Sequence, residues 1–288
     1  MSQGGDREAF DWLLATAAGV SWAQLKACRL HPSTAVELCA TRQDVEHLWA
    51  RHLADSVPLQ YLVGRCFWRD FELEVKPGVL IPRPETELLV DLVLRLVGDG
   101  APLTASPLFW GDLGTGSGCL SIGLAHAFPQ SRGLAVDLSP EACLQARQNL
   151  SRAGLDDRVC VIEGNWFEAL HPWWGNLSWV VANPPYIPSG DVARLDPLVR
   201  DHEPRLALDG GPDGMDSIRR IVDEAPRALA PGGWLLMEHH HDQSERVLKL
   251  LAARGMVDGQ FHRDLEGHRR FVVARRPSVC VVSAAQCP

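Results

Sequence analysis

The sequence predicts an α/β fold, a mostly parallel sheet with helices on both faces, preceded by a small helical unit. Three observations carry this. From about residue 84 apolar runs of strand length alternate with helical segments; a glycine cluster follows one such run; an acid closes the next. The 288 residues suffice for one large domain and a smaller one.

The elements follow in chain order. Ser21-Trp22-Ala23-Gln24 has a capping-box pattern and Thr41-Arg42-Gln43-Asp44 resembles a second helix N-terminus. Val45, Leu48, Trp49 and Leu53 then recur at helical spacing, and four or five short helices are expected in a front bundle. Phe71, Leu73 and Val75 share one face before Pro77-Gly78, so a short hairpin is expected as linker. Pro84-Glu85-Thr86-Glu87 starts a helix, with proline and acids in its first turn. Ser139-Pro140-Glu141 starts another, running to Gly154. Strands are expected at about 158–162, 177–182 and 233–238, and a helix at about 214–229. Residues 257–275 read as two final, antiparallel strands. The expected divisions are 1–75, 76–276 and a tail, 277–288.

Two turns concentrate the chemistry. Leu108-Phe109-Trp110-Gly111-Asp112-Leu113 runs into Gly114-Thr115-Gly116-Ser117-Gly118, the strand–turn–helix of a nucleotide-binding unit. Cys119 follows Gly118, so the dinucleotide pattern G-x-G-x-x-G fails at its third glycine, which disfavours nicotinamide and flavin enzymes. About twenty residues on, the run 133–138 contains Asp137, where a ribose diol is held in such folds. An acid after a strand is more often a capping or solvated residue; its distance from the glycine turn favours ribose. The second turn is Asn183-Pro184-Pro185-Tyr186, directly after the apolar run Trp179-Val180-Val181-Ala182. Two prolines remove two backbone donors and stop the ladder, leaving the Asn183 oxygen and the Pro184 carbonyl as acceptors beside an aromatic ring. Such a lip suits a planar –NH2 group gripped by both N–H bonds. Glycine turn, Asp137 and Asn183 all fall at carboxyl ends of strands and can converge on one crevice.

Composition narrows the partners. A hydrophobic fraction of 46% with 22% charged residues is that of a soluble globular chain, and no run approaches a membrane span. The first residues show neither a basic nor an apolar leader region, so a cytoplasmic location is expected. Eight cysteines (28, 39, 66, 119, 143, 160, 280 and 287) lack any C-x-x-C pair, which argues for reduced thiols. Net charge is −8, and residues 1–60 carry five Lys/Arg (7, 26, 29, 42, 51) against seven Asp/Glu (6, 8, 11, 37, 44, 46, 55). Neither favours a phosphate backbone as partner. His239-His240-His241 invites a metal reading, but without a further ligand set these are read as loop residues and no metal is expected.

Five segments together carry a family resemblance: Pro58–Gly64, Leu80–Glu87, Asp112–Gly118, Asn183–Ile187 and Glu203–Gly211. Over roughly residues 10–275 the chain resembles the class I S-adenosylmethionine-dependent methyltransferases, and more narrowly the HemK/PrmC-type enzymes that methylate a glutamine of peptide chain release factors. The resemblance implies a seven-stranded Rossmann-like methyltransferase sheet, S-adenosyl-L-methionine as cofactor, and class I peptide chain release factors as protein substrate. A monomer without stably bound nucleic acid or membrane is expected. Position by position, Gly114, Thr115, Gly116, Ser117 and Gly118 would wrap the methionine part of the cofactor. Asp137 would hold the ribose, and Trp166 would lie near the adenine. Asn183, Pro184, Pro185 and Tyr186 would cradle the glutamine, with Asn183, Pro184 and Tyr186 as catalytic residues and Asn183 also at the cofactor. Asn165 stands where relatives usually have an acid, and Glu238-His239-His240-His241 replaces the usual Glu-His-Gly. Asn-Pro-Pro-Tyr also occurs in enzymes that methylate adenine. A ribosomal-protein glutamine methyltransferase, an adenine-N6 nucleic-acid methyltransferase and a non-catalytic cofactor-binding protein therefore remain alternatives at this stage.

Overall fold

The computed structural model describes residues 6–98 and 108–278. Residues 1–5, most of the expected tail, Cys280 and Cys287 lie outside the described residues.

Four helices form the front bundle: α1 (Arg7–Ala18), α2 (Trp22–Leu30), α3 (Arg42–Asp55) and α4 (Leu59–Val63). Their starts are set by side-chain caps. Asp6 and Thr41 accept backbone N–H groups of their first turns, and Ser21 with Gln24 makes the reciprocal capping box. The bundle has its own core of Leu13, Val20, Leu25, Val45, Trp49 and Leu59. The strands β1 (Arg65–Trp68) and β2 (Phe71–Glu74) then pair antiparallel, Trp68 opposite Phe71, as the linker hairpin.

The larger region runs α5 (Glu87–Gly98), β3 (Phe109–Leu113), α6 (Cys119–Ala127), β4 (Arg132–Asp137), α7 (Pro140–Arg152), β5 (Val159–Glu163), a 3₁₀ helix (Trp166–Trp173) and β6 (Leu177–Ala182). It continues through three single-turn helices, α8 (Ser189–Val192), α9 (Pro197–Arg200) and α10 (Arg205–Leu208). It closes with α11 (Asp216–Ala228), β7 (Leu229–Glu238), α12 (Ser244–Ala253), β8 (Val257–Arg263) and β9 (Arg269–Arg275). The seven strands lie in the order β5-β4-β3-β6-β7-β9-β8, with β9 antiparallel to both its neighbours. This is the expected α/β sheet.

Strand order reverses between β3 and β6. Chain leaving β3 turns toward β4, and chain leaving β6 turns toward β7, which opens a crevice where the two carboxyl ends part. Alternation along β6 explains why it reads as an unbroken apolar run. Trp179 and Val181 enter the core on one face, Val180 and Ala182 the core on the other, and all four are 0% exposed. Among the described residues, no helix is long and apolar enough to cross a membrane.

Two boundaries differ from expectation. The helix expected at Pro84 begins at Glu87, because Arg83 to Thr86 form a tighter turn with i to i−3 bonds, Thr86 N to Arg83 O and Glu87 N to Pro84 O. That turn frees the Thr86 hydroxyl from the helix. The strand expected at 233 begins at Leu229, which already pairs with Leu177 across a register shift.

Candidate active site

The glycine turn is held by the neighbouring strand. Gly114 N and Thr115 N both donate to the Val136 carbonyl, at 2.8 and 2.9 Å, and Gly118 N closes on Thr115 O at 2.8 Å. Gly116 and Gly118 have φ of +56° and +83°, where a side chain is strained. Their uses differ. A Cβ on Gly118 would meet Ala146 of α7 at 3.3 Å, so this glycine lets two helices pack. A Cβ on Gly116 would meet nothing within 4 Å and would enter an open cavity.

Beneath the turn lies Asp112, 0% exposed. Its Oδ2 accepts from Thr115 Oγ1 and Ser121 Oγ, both at 2.7 Å, while Oδ1 is buried without a partner among the described residues. Burial pushes its carboxyl up to about 6, against the pull of those two hydroxyls. Asp137 is tied as well: Oδ2 accepts from Gly116 N and Oδ1 from Ser139 N, each at 2.9 Å. Burial raises its pKa while these N–H groups oppose the rise. Asp137 thus fastens the glycine turn to the end of β4 and still borders the cavity.

Across the cavity, Trp166 takes a positive φ of 48°, and its ring lies 3.3 Å from where a Gly114 Cβ would stand. Asn165 beside it is held by Arg220, whose Nη1 and Nη2 reach the Asn165 amide oxygen at 2.8 and 3.1 Å once that oxygen is turned toward the guanidinium. Arg220 also pairs with Glu168.

The end of β6 supplies the other side. The Asn183 backbone carbonyl lies 3.9 Å from the same Gly114 Cβ position, so the two turns are neighbours. Asn183 Nδ2 donates to Thr86 Oγ1 at 3.1 Å, and Thr86 Oγ1 donates to Glu238 Oε2 at 2.7 Å. The Tyr186 hydroxyl donates to the other oxygen, Glu238 Oε1, at 3.1 Å. Neither Asn183 Oδ1 nor the Pro184 carbonyl accepts a hydrogen bond from the described residues. The segment after the lip is braced from below. Ile187 exchanges backbone bonds with Leu208 and Gly210, and Gln243 Nε2 donates to the Tyr186 carbonyl at 3.0 Å. This explains why the Glu203–Gly211 segment accompanies the lip: it is the shelf on which the lip rests.

A cavity of about 330 Å³ joins these parts. Gly114, Thr115, Gly116, Ser117, Asp137, Trp166, Asn183 and Pro185 border it. Gly118, Pro184 and Tyr186 do not: Gly118 packs on α7, Pro184 is buried, and Tyr186 sends its hydroxyl to Glu238. Sequence reasoning missed Thr86, Arg83, Leu206 and Arg220 on the wall. Thr86 and Arg83 sit in the Leu80–Glu87 segment and Leu206 in the Glu203–Gly211 segment; Arg220 carries no signal beyond its place on a helix. Arg83 Nη2 contacts both oxygens of Glu203, at 2.8 and 2.7 Å. The three histidines are engaged locally: His239 Nδ1 donates to the His240 carbonyl at 2.7 Å, His240 Nδ1 lies 2.6 Å from Asp242 Oδ1, and the His241 ring lies against that of His240, 4.2 Å between centroids.

The residues present fit S-adenosylmethionine. The cradle is one that a Gly116 side chain would fill, and a buried carboxylate with a free oxygen lies under it, favourable to a cationic ligand. Comparison with known proteins agrees. The family model "Methyltransferase small domain" matches residues 109–257. The release factor glutamine methyltransferase of Prochlorococcus marinus is 46% identical over 96% of this chain and 94% of its own. That of Geobacter sulfurreducens is 40% identical over 92% of this chain and 88% of its own. Among solved structures, the hMettl16 catalytic domain in complex with MAT2A 3′UTR hairpin 6 matches with a TM-score of 0.58 over 98% of this chain and 96% of that one. At 12% identity that likeness is one of fold alone.

Proposed function

This chain belongs to the release factor glutamine methyltransferase family of S-adenosylmethionine-dependent enzymes, and we propose that it methylates the side-chain nitrogen (N5) of a glutamine in class I peptide chain release factors. The observation that supports the chemistry is the free Asn183 Oδ1, an acceptor left open beside the glycine turn.

S-adenosylmethionine supplies, when bound, a methyl group made electrophilic by its sulfonium. The protein's task is the nucleophile, an amide nitrogen whose lone pair is shared with its carbonyl. Asn183 Oδ1, on the cavity wall, and the Pro184 carbonyl just behind it, which accepts no bond from the described residues, accept the two amide N–H bonds and point the nitrogen toward the glycine turn. Both bonds strengthen as positive charge builds on nitrogen, so they favour the transition state over the ground state. Positioning supplies much of the remainder. No general base is needed for the transfer itself, which suits an asparagine at 183; as the methyl–sulfur bond breaks and the methyl–nitrogen bond forms, the cofactor's sulfur leaves as a neutral thioether, and the nitrogen's surplus proton then passes to solvent. Gly114–Ser117 hold the methionine part, Asp137 the ribose, and Trp166 flanks the adenine. Tyr186 stiffens the lip through Glu238.

The front division, residues 1–75, is assigned to contact with the protein substrate through its helical bundle, α1 to α4. A groove lined by Trp12, His52, Gln60, Arg83, Leu198 and Glu203 lies between it and the segments that carry Arg83 and α9, and Arg83 borders both this groove and the cavity. The acidic balance favours a protein over a nucleic acid, and an enzyme acting on release factors works in the cytoplasm.

The test is mass spectrometry of purified release factor, ribosomal protein and DNA after incubation with the enzyme and isotope-labelled cofactor. A single methyl on a release-factor glutamine is expected. Labelling of ribosomal protein or DNA instead, or none with cofactor bound, overturns the assignment.

A further inference from the structure

An asparagine amide can present either end to a ligand, and the two ends are chemical opposites. Local geometry at Asn183 does not choose between them; its surroundings do. Glu238 ends β7 at 1% exposure, and Thr86 precedes α5 at 3%. An ionised carboxylate only accepts, so the single proton of the Thr86 hydroxyl is committed to Glu238 Oε2, at 2.7 Å. What Thr86 then offers Asn183 is a lone pair, and only the –NH2 end can face it, at 3.1 Å. Oδ1 is thereby turned away from Thr86. The Tyr186 hydroxyl, donating to Oε1 of the same carboxylate, fastens the far end of the lip.

We infer that Thr86 and Glu238 are positioning residues, a one-way hydrogen-bond chain dictating that the oxygen of Asn183, and not its –NH2, meets the substrate amide. The inference rests on the reading that Asn183 grips that amide. An acceptor from Asn183 is what the reaction requires; an –NH2 in its place would oppose the substrate's N–H groups and the charge building on nitrogen. The chain also makes a pH switch of the lip. A protonated Glu238 can donate to Thr86, whose own proton then turns toward Asn183 and draws Oδ1 inward. Burial raises the Glu238 pKa above the ordinary carboxylate value, while Thr86, Tyr186 and the nearby Arg270 of β9 oppose the rise and Glu85 adds to it. Burial lowers the pKa of His239, next in the chain, while its hydrogen bond to the His240 carbonyl opposes the fall.

The experiment compares T86V, T86S, E238Q and N183A in full-length enzyme, with release factor as substrate and cofactor affinity measured separately. T86V, nearly isosteric, is expected to lower kcat by about tenfold or more, as for a buried donor left without its partner, with cofactor affinity held within about threefold. T86S keeps the hydroxyl and is expected to retain kcat within about threefold. E238Q, which does not titrate, is expected to lose the native enzyme's fall in turnover on acidification. T86V at native kcat, T86S as impaired as T86V, or cofactor affinity falling with kcat each overturns the inference. Should T86V fail to fold, the pH profile decides: an acid limb unchanged in E238Q overturns it. Full activity of N183A would instead overturn the reading on which the inference rests.

Discussion

The two halves of the cleft are built on opposite plans. The glycine-turn half comes from short stretches of chain, Asp112 to Ser121 and Asp137 to Ser139, each bonded within itself and joined to the other where Gly116 N donates to Asp137 Oδ2. The Asn183 half joins the turn before α5, the end of β6 and the end of β7, over sequence separations of 97 and 152 residues. The first half is fixed mostly by backbone groups and glycine conformation, the second by the direction of side-chain hydrogen bonds. Damage to the first should therefore appear as lost cofactor affinity, and damage to the second as lost turnover with cofactor still bound.

The most severe break is Asn183→Ala. Turnover is expected to fall by roughly a hundredfold or more, as on loss of one preorganised hydrogen-bonding group, with cofactor affinity within a few-fold. Single-turnover kinetics beside calorimetric cofactor titration separates the two, and a matching loss of affinity would merge the halves. Gly116→Ala is expected to weaken cofactor binding by about tenfold or more, because the added methyl enters the cavity and the backbone lies in the left-handed region. Its kcat at saturating cofactor should stay near native. Asp137→Ala, which releases Gly116 N and Ser139 N, is expected to weaken cofactor binding by roughly tenfold, again without a matching fall in saturated turnover.

Asp112→Asn probes the glycine-turn half through pH. Burial raises the Asp112 pKa in the folded protein to about 6, above its unfolded value of about 3.9. A raised folded pKa contributes stability that is fully present below the unfolded value and is lost as pH rises through about 6. Cofactor-free native protein should accordingly lose Tm between pH 4 and pH 7 from this group, and Asp112→Asn should flatten that slope by a few degrees. Thermal melts across pH check it; an unchanged slope would mean that Asp112 is not the group titrating. A several-fold loss of cofactor affinity in the same variant at pH 8 would show that the buried carboxylate serves the cation.

Legibility followed the same division. The glycine turn, Asp137 and the Asn183 lip could be read directly because each is a short pattern after an apolar run, and the sheet places all three at strand ends. Gly118 shows what a pattern leaves out. It belongs to the turn by spacing, yet its missing side chain serves packing against Ala146, since one face of the turn looks toward α7. Tyr186 is similar: adjacency to Asn183 suggests a ring on the substrate, while its hydroxyl is committed to Glu238 behind the lip. Arg220 escaped notice because a helical arginine is ordinarily solvated, and only the packing of α11 beside Trp166 brings it to Asn165.

From the sequence alone come the α/β sheet, the front helices with their caps, the hairpin and the two turns that face each other across the crevice. These are written in hydrophobic periodicity, glycine and proline, properties of neighbouring residues that act before the chain is folded. Folding alone decided which atoms of those turns face the cavity, because Thr86, Asn183 and Glu238 meet only when β6 and β7 lie side by side beneath α5. The direction of a hydrogen bond belongs to both its partners at once, and no stretch of chain contains both.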